Sequence, residues 1–453
     1  MPMTTSAPTS SSPIRWVPSL YFVQGMQFFV VMLIAGLMFK NMGVSNEEIT
    51  RATGALGLAW AIKPLWSPFL ELFPSKKRIV VTMQACGALC LGAVALTLQS
   101  PSFFALTIAV LFLLAYASAT HDIACDGLYM ASLNNKQQAA YAGWQGAFFN
   151  ASKFLTLGAL IVWAGHLEKS VGVFNAWSTI FIGMAVLLAC LATYNAWALP
   201  SPANTAGGPL NKADVARTLR EVIAAFLRKP GIVGAIAFIV LFRFAEGQVQ
   251  TIGPLFMLEA REKGGLGLGT EQLGAIYGGI GTLTFLIGSI LGGLFASKLG
   301  LKRAMPVLIL AMAVPNLVFA WLSHVRPLID AGIALPFAVP GLGHTLSDIA
   351  VAVAIEMFGY GFGFVGMILY IMQAVAPGPF QTAHYALGSG VMQLGFILSK
   401  TISGDIQAAL GYERFFLWTV ACGVPVFVLL WFVRLPGAQA TADETQPHEG
   451  APA

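Results

Sequence analysis

The stretches GGLFASKLGLKR (292–303) and FLELFPSKKR (69–78) are short basic turns between long apolar segments, and each follows the second apolar segment of its half of the chain. A helix that crosses a membrane needs about 20 mostly apolar residues. On that basis the sequence predicts twelve spans, near 17–40, 49–71, 79–98, 103–131, 139–164, 174–198, 230–257, 271–297, 304–323, 347–374, 382–406 and 413–434. The expected fold is an all-α membrane protein with two six-helix lobes, 17–198 and 230–434.

The composition supports a membrane environment. Hydrophobic residues make up 57% of the 453 residues and charged residues 10%, with a mean hydropathy of +0.75. Soluble proteins carry roughly 25% charged residues, so these charges are too few to cover a soluble fold of this size. The net charge of +5 is small and argues against a nucleic-acid partner. The five cysteines lie in apolar segments without a CxxC pair, and we predict no metal and no cofactor.

The polar segments define the rest of the organisation. Residues 1–16 and 435–453 are expected to be disordered tails. Residues 199–229 form a polar linker between the lobes, with basic residues among apolar ones at helical spacing. That pattern suits an amphipathic helix on an anionic membrane surface, or equally an ordinary basic linker. The apolar positions are Val215, Leu219, Val222, Ile223 and Phe226.

The distribution of positive charge indicates an orientation. If the N-terminus is cytoplasmic, the cytoplasmic segments hold about twice as many Lys and Arg residues as the outer ones. We therefore expect a multi-pass protein of the cell inner membrane with both termini in the cytoplasm. We also expect a monomer.

The turn at 292–303 resembles the G-x-x-x-D-R-x-G-R-K loop of the major facilitator superfamily. Gly293, Lys298, Gly300 and the Lys302–Arg303 pair fit the pattern, whereas Ser297 replaces the acidic residue. Together with two sets of six spans, this resemblance implies a major facilitator fold with two pseudo-symmetric lobes. It implies a secondary transporter in which the lobes alternate access to a central site.

Eight ionisable residues lie inside the predicted spans. A charge at mid-membrane costs at least about 2.5–3.5 kcal/mol on insertion scales, so such residues usually face a cavity or a partner. They are Lys63, Asp122, Asp126, Lys153, Arg243, Glu246, Glu356 and Lys400.

Asp122 and Asp126 lie four residues apart in SATHDIACDGLYMASL (118–133) and share one face of a helix. Two carboxylates this close repel each other when both are ionised, which favours the uptake of a proton. The pair is therefore a candidate for proton coupling. The alternative is a structural role, in which both carboxylates accept hydrogen bonds at the end of their helix.

Arg243 and Glu246 lie three residues apart in FRFAEGQVQ (242–250), which allows a local ion pair. The pair is either purely structural or is opened by substrate or proton during transport. The nearby Gln248 and Gln250 favour the functional interpretation.

Two further charged residues lie in unusual segments. Glu356 opens EMFGYGFGFVG (356–366), where glycines alternate with aromatic rings that include Tyr360. This pattern suits either a flexible helix lining a sugar or aromatic pocket, or tight packing. Lys63 precedes Pro64 in WAIKPLWSPFLE (60–71), where the prolines should kink the helix. Lys63 either holds a substrate carboxylate or pairs with one of the two aspartates.

One pattern suggests an enzyme. His121 and Asp126 form H-x-x-x-x-D, as in glycerolipid acyltransferases. On a continuous helix the two side chains point about 140° apart, so the catalytic pair should not form. A membrane-embedded acyltransferase is the alternative from another class, and we expect no enzymatic activity.

Four stretches resemble the AmpG-type permeases, which group with acetyl-coenzyme A transporters in one branch of the superfamily. They are KPLWSPFLE (63–71), SATHDIACDG (118–127), EMFGYGFG (356–363) and TAHYALGS (382–389). The resemblance covers about 17–434 and implies proton-driven import of a GlcNAc–anhydro-MurNAc muropeptide; siderophore and coenzyme A ester carriers are alternatives. His121 and His384 each stand where the family has Gln, which puts the substrate in doubt because the two side chains form different hydrogen bonds.

These observations give a predicted site. The proton-coupling residues are Asp122, Asp126, Glu246 and Glu356, and the substrate-binding residues are Gln24, Gln27, Lys63, Trp144, Asn150, Arg243 and Tyr360.

Overall fold

The structure is a computed structural model, and it describes residues 12–70, 73, 75–201, 212–330, 343–378 and 380–435. Helices and short turns make up the secondary structure of these residues. The thirteen main helices are α1 Pro13–Asn41, α2 Asn46–Ile62, α3 Lys76–Thr97, α4 Phe103–Ser132, α5 Asn135–Lys153 with its continuations Phe154–Ala159 and Leu160–Val171, α6 Val173–Ala198, α7 Lys212–Leu227, α8 Ile232–Leu258, α9 Thr270–Leu299, α10 Leu301–Arg326, α11 Leu346–Val375, α12 Gln381–Leu410 and α13 Tyr412–Leu430.

Each predicted span falls on one of these helices, and the remaining helix, α7, lies in the linker. In the described part of the chain, ten helical stretches are long and apolar enough to cross a membrane. The other two predicted spans correspond to α2, which continues into the short helix Ser67–Leu70, and to α12. The prediction of an all-α membrane protein is confirmed.

The start of the first span differs from the prediction. Residues Pro13–Arg15 form a 3-10 turn, and Trp16, which the sequence assigned to a disordered tail, is only 1% exposed. Trp16 packs edge-on against Tyr129 of α4, with 6.3 Å between the ring centroids. Burial of this indole explains why order begins before residue 17. Residues 1–11 and 436–453 lie outside the described residues.

Proline and glycine set several helix boundaries. α2 ends at Ile62 and a 3-10 turn follows at Lys63–Leu65, which confirms the predicted break at Pro64. Gly172, Gly300 and Gly411 each join two helices through a single residue with positive φ, at 80°, 75° and 74°. Glycine adopts this conformation without the steric cost that a Cβ imposes.

The chain divides into two compact units. The first contains the described residues up to Leu219 together with Leu268–Gly279, and the second contains Arg220–Gly267 and the described residues from Ile280 onward. The sequence-based division assigned 268–279 to the second lobe. The segment instead packs with α5 in the first unit, where Gly165 lies against the backbone of Glu271 and Gly278 against that of Leu157. These glycines allow a close backbone approach that the apolar pattern alone did not reveal.

The linker helix α7 packs against protein through its C-terminal half. Val222 and Phe226 are buried, and the ring of Phe226 lies 5.6 Å from the imidazole of His384. Lys229 Nζ then donates to the carbonyl oxygens of Val375 and Pro377 at 2.5 and 2.7 Å, and burial lowers the pKa of Lys229. The apolar side of this half therefore faces the second unit, and the predicted docking on a membrane surface is wrong for Val222 and Phe226.

Candidate functional site

Asp122 is the centre of a polar cluster within the first unit. Its Oδ1 accepts a hydrogen bond from Gln24 Nε2 of α1, and its Oδ2 forms an ion pair with Lys63. Lys63 reaches Asp122 from the 3-10 turn that Pro64 imposes after α2. The charge of Asp122 is thus compensated by a cation and an amide on two other segments, which satisfies a buried carboxylate.

Asp126 lies one helical turn after Asp122 and, like Asp122, contacts α1. Tyr21 Oη donates to Asp126 Oδ1 at 3.0 Å, and Gln145 Nε2 of α5 donates to Tyr21 Oη at 2.8 Å. Tyr21 and Gln24 are three residues apart on α1, so both aspartates face α1 as their spacing predicts. We call Tyr21, Gln24, Lys63, Asp122, Asp126 and Gln145 the carboxylate cluster.

Three predicted residues of the first unit lie outside the carboxylate cluster. Gln27 is fully buried against Gly87 of α3, and its side-chain amide has no hydrogen-bond partner among the described residues. Trp144 is 43% exposed and stacks on Phe148 of its own helix. Asn150 donates to the carbonyl oxygen of Gly146 in the same helix. None of these contacts joins the carboxylates.

Arg243 of α8 is the centre of a second cluster, within the second unit. Its guanidinium carbon lies 5.7 Å from the ring centroid of Tyr360, 5.0 Å from that of Phe364 and 4.8 Å from that of Phe396. Its Nη1 also contacts Tyr360 Oη at 3.4 Å, and its Nε has no hydrogen-bond partner among the described residues. Three rings around a guanidinium stabilise it by cation–π attraction. We call these four residues the arginine cluster.

Glu246 and Glu356 are both 1% exposed in the second unit. Glu356 Oε1 accepts a hydrogen bond from Gln250 Nε2 of α8 at 2.8 Å. Glu246 lines a small pocket whose other lining residues are apolar and include Phe242 and Met312. The two acids therefore have different surroundings.

The glycine-rich stretch after Glu356 serves packing on both sides of α11. Gly361 lies against the backbone of Phe285 of α9, whereas Gly359 and Gly363 lie against Ala311 and Leu308 of α10. The stretch is a continuous α-helix. The packing alternative therefore holds for the glycines, while Tyr360 contacts Arg243.

The two histidines that replace glutamines of the AmpG-type pattern face other helices. His121 is fully buried and its Nε2 lies 2.9 Å from Gln84 Nε2 of α3. His384 Nε2 lies 3.3 Å from the carbonyl oxygen of Val222 in α7. The hydrogen bonds of the two histidines link helices and reach no residue of the cluster in their own unit. His121 forms no hydrogen bond with Asp126, whose Oδ1 accepts from Tyr21.

The site residues chosen from the sequence did not include Tyr21, Gln145, Phe364 and Phe396. Tyr21 precedes Gln24 by three residues, so its position on the same face of α1 was available as a signal. Phe364 is one of the aromatic rings of the 356–366 stretch, which was a signal as well. Gln145 and Phe396 gave no such signal, because their partners Tyr21 and Arg243 are more than 100 positions away.

The clusters have distinct chemical capacities. Paired carboxylates beside a lysine and a tyrosine can exchange a proton and re-form hydrogen bonds within one cluster. A guanidinium among rings can bind a carboxylate through charge-assisted hydrogen bonds. In the described part of the chain no group of His, Cys, Asp and Glu could hold a metal ion.

Known proteins give a consistent comparison. The family model "Major Facilitator Superfamily" matches residues 19–399. "Putative transporter AmpG 4" of Rickettsia conorii is 22% identical over 447 residues, covering 92% of this chain and 95% of that protein. "Anhydromuropeptide permease" of Escherichia coli (strain K12) is 23% identical over 414 residues, covering 89% and 76%. Among solved structures, a D-xylose-proton symporter matches with a TM-score of 0.70 at 11% identity, covering 94% of this chain and 99% of that one.

The predicted fold and the AmpG-type resemblance are both confirmed by these similarities. Two six-span sets and a family match over most of the described helices lead to one assignment. The chain belongs to the Major Facilitator Superfamily, and it is a multi-pass secondary transporter of a small molecule rather than an enzyme.

Proposed function

We propose that the protein imports a muropeptide or a related saccharide together with protons, by alternating access across the cell inner membrane. The observation that carries the proposal is the carboxylate cluster, in which Asp122 is held by Lys63 and Gln24 while Asp126 lies one turn away. Intramembrane acids with exchangeable partners are typical of proton relays.

Proton binding involves the four predicted acids. Protonation of Asp122 weakens its pairing with Lys63, which frees the ammonium for another anion. Asp126 lies next to this pair and takes up or releases a proton while its Oδ1 keeps the hydrogen bond that Tyr21 donates. Glu246 and Glu356 perform the same task in the second unit, where Gln250 donates a hydrogen bond to Glu356.

Each unit offers its own groups to the substrate. In the second unit, Arg243 and Tyr360 bind an anionic or ring portion, and in the first unit Lys63 and Gln24 bind a polar group. Gln27, Trp144 and Asn150 form no hydrogen bond with the carboxylate cluster, and we retain them as lining residues of a later conformation. The name of the Escherichia coli relative, anhydromuropeptide permease, supports a muropeptide as the cargo.

The proposal also includes the orientation of the chain in the membrane and its oligomeric state. Both termini lie in the cytoplasm, because the Lys and Arg bias places the basic turns inside. The transporter acts as a monomer.

Uptake by proteoliposomes with an imposed pH gradient tests the proposal. The assay offers labelled muropeptides, sugars, siderophores and coenzyme A esters, and we expect muropeptide uptake that a protonophore abolishes. Asp122→Asn should lower this uptake about tenfold or more, whereas Lys263→Gln, which changes an exposed lysine in a loop, should not. Uptake that ignores the protonophore contradicts the proton coupling, and exclusive uptake of another cargo contradicts the substrate.

Glu356→Gln tests the second unit by itself. We expect a weaker dependence of uptake on pH because the side chain can no longer take up a proton. Unchanged uptake with an unchanged pH profile removes Glu356 from the mechanism.

A further inference from the structure

A chain of side-chain hydrogen bonds crosses the first unit outside the carboxylate cluster. Ser19 Oγ of α1 donates to Asn195 Oδ1 of α6 at 2.6 Å, and Asn195 Nδ2 donates to Gln84 Oε1 of α3 at 3.1 Å. Gln84 Nε2 in turn lies 2.9 Å from His121 Nε2 of α4. We call these four residues the amide chain, and it connects four helices of the unit.

Burial makes each member of the amide chain depend on the next. Gln84, His121 and Asn195 are all 0% exposed. Asn195 and Gln84 each use both ends of their amide, so the loss of one member leaves a buried polar atom without its partner. A buried network in which every member is satisfied makes its surroundings rigid. The amide chain therefore fixes the rotation of α1, α3, α4 and α6 against one another.

The amide chain and the carboxylate cluster hold α4 from two directions. His121 directly precedes Asp122, and successive residues on a helix are turned by about 100°. His121 contacts α3, whereas Asp122 accepts a hydrogen bond from Gln24 of α1. Ser19 belongs to the same helix as Gln24, so the contacts close into a ring through α1, α6, α3 and α4. The direction of Asp126, one helical turn after Asp122, follows the same rotation of α4.

The charged and titratable groups around the two carboxylates come from several segments. Lys63 pairs with Asp122 from the turn after α2, and Tyr21 of α1 donates to Asp126. On α4 itself His121 and Cys125 adjoin the carboxylates, and Lys76 of α3 lies against Gly127, the neighbour of Asp126. The proton affinity of a carboxylate depends on its distances to such groups, and the rotation of α4 sets those distances.

We propose that the amide chain positions the carboxylates for proton uptake, by fixing the rotation of α4 that places Asp122 and Asp126 against α1 and Lys63. Ser19, Gln84, His121 and Asn195 are then positioning residues, since among the described residues none of them forms a hydrogen bond with either aspartate. This inference rests on the proposed proton coupling and extends it to side chains that act at a distance from the proton.

Labelling of the purified full-length protein with dicyclohexylcarbodiimide measures proton binding at the aspartates without any cargo. The reagent reacts with a carboxyl group in its protonated form, and the side chain of Asp126 is exposed. Mass spectrometry of the peptide that contains Asp122 and Asp126 gives the labelled fraction at each pH, and the midpoint of this curve is the readout. Asp122→Asn and Asp126→Asn assign the label to one aspartate.

Breaking the amide chain should move the midpoint toward higher pH. We expect Asn195→Leu to shift it by about threefold or more in proton concentration, because α4 is released and the contact of its carboxylate with Lys63 weakens. Ser19→Ala removes the α1 end of the chain with little change in volume, should shift the midpoint in the same direction, and decides the question if Asn195→Leu does not fold.

A pair of variants at one position separates positioning from the mere presence of a histidine. His121→Leu ends the chain at Gln84 and should shift the midpoint as Asn195→Leu does. His121→Gln should restore the wild-type midpoint, because its amide oxygen can accept the hydrogen bond from Gln84 Nε2.

Two control variants separate positioning from a loss of stability. Leu188 is fully buried on α6, the helix of Asn195, and Leu188→Ala should lower Tm without removing a hydrogen bond. Thr53 of α2 is buried and donates only to the carbonyl oxygen of Ile49 in its own helix, so Thr53→Val removes a polar group outside the chain. Both variants should keep the wild-type midpoint.

The outcomes distinguish this inference from the proposed function. If uptake depends on the pH gradient but the chain variants keep the wild-type midpoint, or the controls shift it equally, the positioning role is overturned and the transport proposal stands. If uptake ignores a protonophore but only the chain variants shift the midpoint, the positioning role stands and proton-coupled transport is wrong. A wild-type protein whose aspartates take no label at any pH at which it stays folded overturns the positioning role as well.

Discussion

The charge of Asp122 inside the membrane is compensated by two individual side chains. It accepts from Gln24 and pairs with Lys63, so removal of one partner leaves the other without its counterpart. Breaking a buried pair costs more than replacing both partners, because the remaining charge has lost its compensation. Lys63 is partly exposed, which reduces this effect through solvent screening.

We therefore predict a partial rescue in a double variant. Lys63→Gln and Asp122→Asn should each lower Tm, and the double variant should recover part of the loss because both charges are gone. Thermal unfolding of the four proteins in detergent measures the coupling. Additive losses contradict a direct interaction between Lys63 and Asp122.

His121 is held in one tautomer by its neighbours. Gln84 Oε1 accepts from Asn195 Nδ2 at 3.1 Å, so the other end of the amide, Nε2, faces His121 Nε2 as a donor. The imidazole Nε2 then accepts, and its proton lies on Nδ1. The residue links α4 to α3 and does not contact the carboxylate cluster.

Replacement of His121 by the glutamine of the AmpG-type pattern should be tolerated. His121→Gln retains a hydrogen bond to Gln84, and we expect KM for the cargo to change by less than about threefold. His121→Leu leaves Gln84 Nε2 buried without a partner, and Tm should fall. A large rise in KM for His121→Gln would show that His121 binds substrate.

Glycine contacts determine how closely the helices approach. Gly288 of α9 lies against the backbone of Phe358, and Gly292 lies against that of Phe362. Backbone atoms cannot move aside as a flexible side chain can. The spacing of α9 and α11 is therefore set by the absence of side chains at these positions.

Gly288→Ala should destabilise the second unit. The added methyl group collides with the carbonyl oxygen of Phe358, and overpacking of this kind costs about 1–3 kcal/mol. Gly146→Ala is the matched control, because a Cβ at Gly146 meets nothing within 4 Å. Equal Tm values for the two variants contradict the close packing of α9 on α11.

The packing of the linker helix α7 can be tested by comparing a buried residue with an exposed neighbour. Phe226 is 3% exposed and its neighbour Leu227 is 57% exposed. Phe226→Ala removes a buried ring and should cost about 3–5 kcal/mol, whereas Leu227→Ala should have little effect. Tm and protease cleavage of the linker measure the difference, and similar behaviour of the two variants argues against docking of α7.

The segment Leu268–Gly279 connects distant parts of the chain at the scale of the whole molecule. Glu168 Oε1 accepts from Asn41 Nδ2 and Trp177 Nε1, and its Oε2 accepts from Thr270 Oγ1. The ends of α1 and α5 and the starts of α6 and α9 thus meet at one carboxylate. Beyond Gly279, α9 continues into the second unit. Alternating access moves one lobe against the other, so we expect the contact at Thr270 to break during the cycle.

A crosslink at this point should stop transport. Asn41→Cys and Thr270→Cys replace side chains that lie 2.7 Å apart, and the exposed Cys190 is changed to Ser in both test and control proteins. Oxidation should lower uptake about tenfold or more, and reduction should restore it. Asn41→Cys alone is the control, and full uptake by the crosslinked protein would show that this contact persists throughout the cycle.

Local patterns in the sequence were sufficient to predict the order of the helices and the charged residues that lie inside the membrane spans. Backbone groups in lipid must be satisfied within their own segment, so each long apolar stretch forms a helix regardless of its neighbours. Local rules also determined the break at Pro64 and the shared face of Asp122 and Asp126, since both depend only on nearby residues.

The packing of distant helices selects the polar groups that meet. Lys63 pairs with Asp122, the Gln27 amide has no hydrogen-bond partner among the described residues, and Glu356 contacts Gln250. These choices depend on the rotation and spacing of helices that are distant in sequence. Rotation and spacing are set by contacts such as Ser152 on Gly25, which arise when two whole helices pack together and leave no periodic signal in either helix alone.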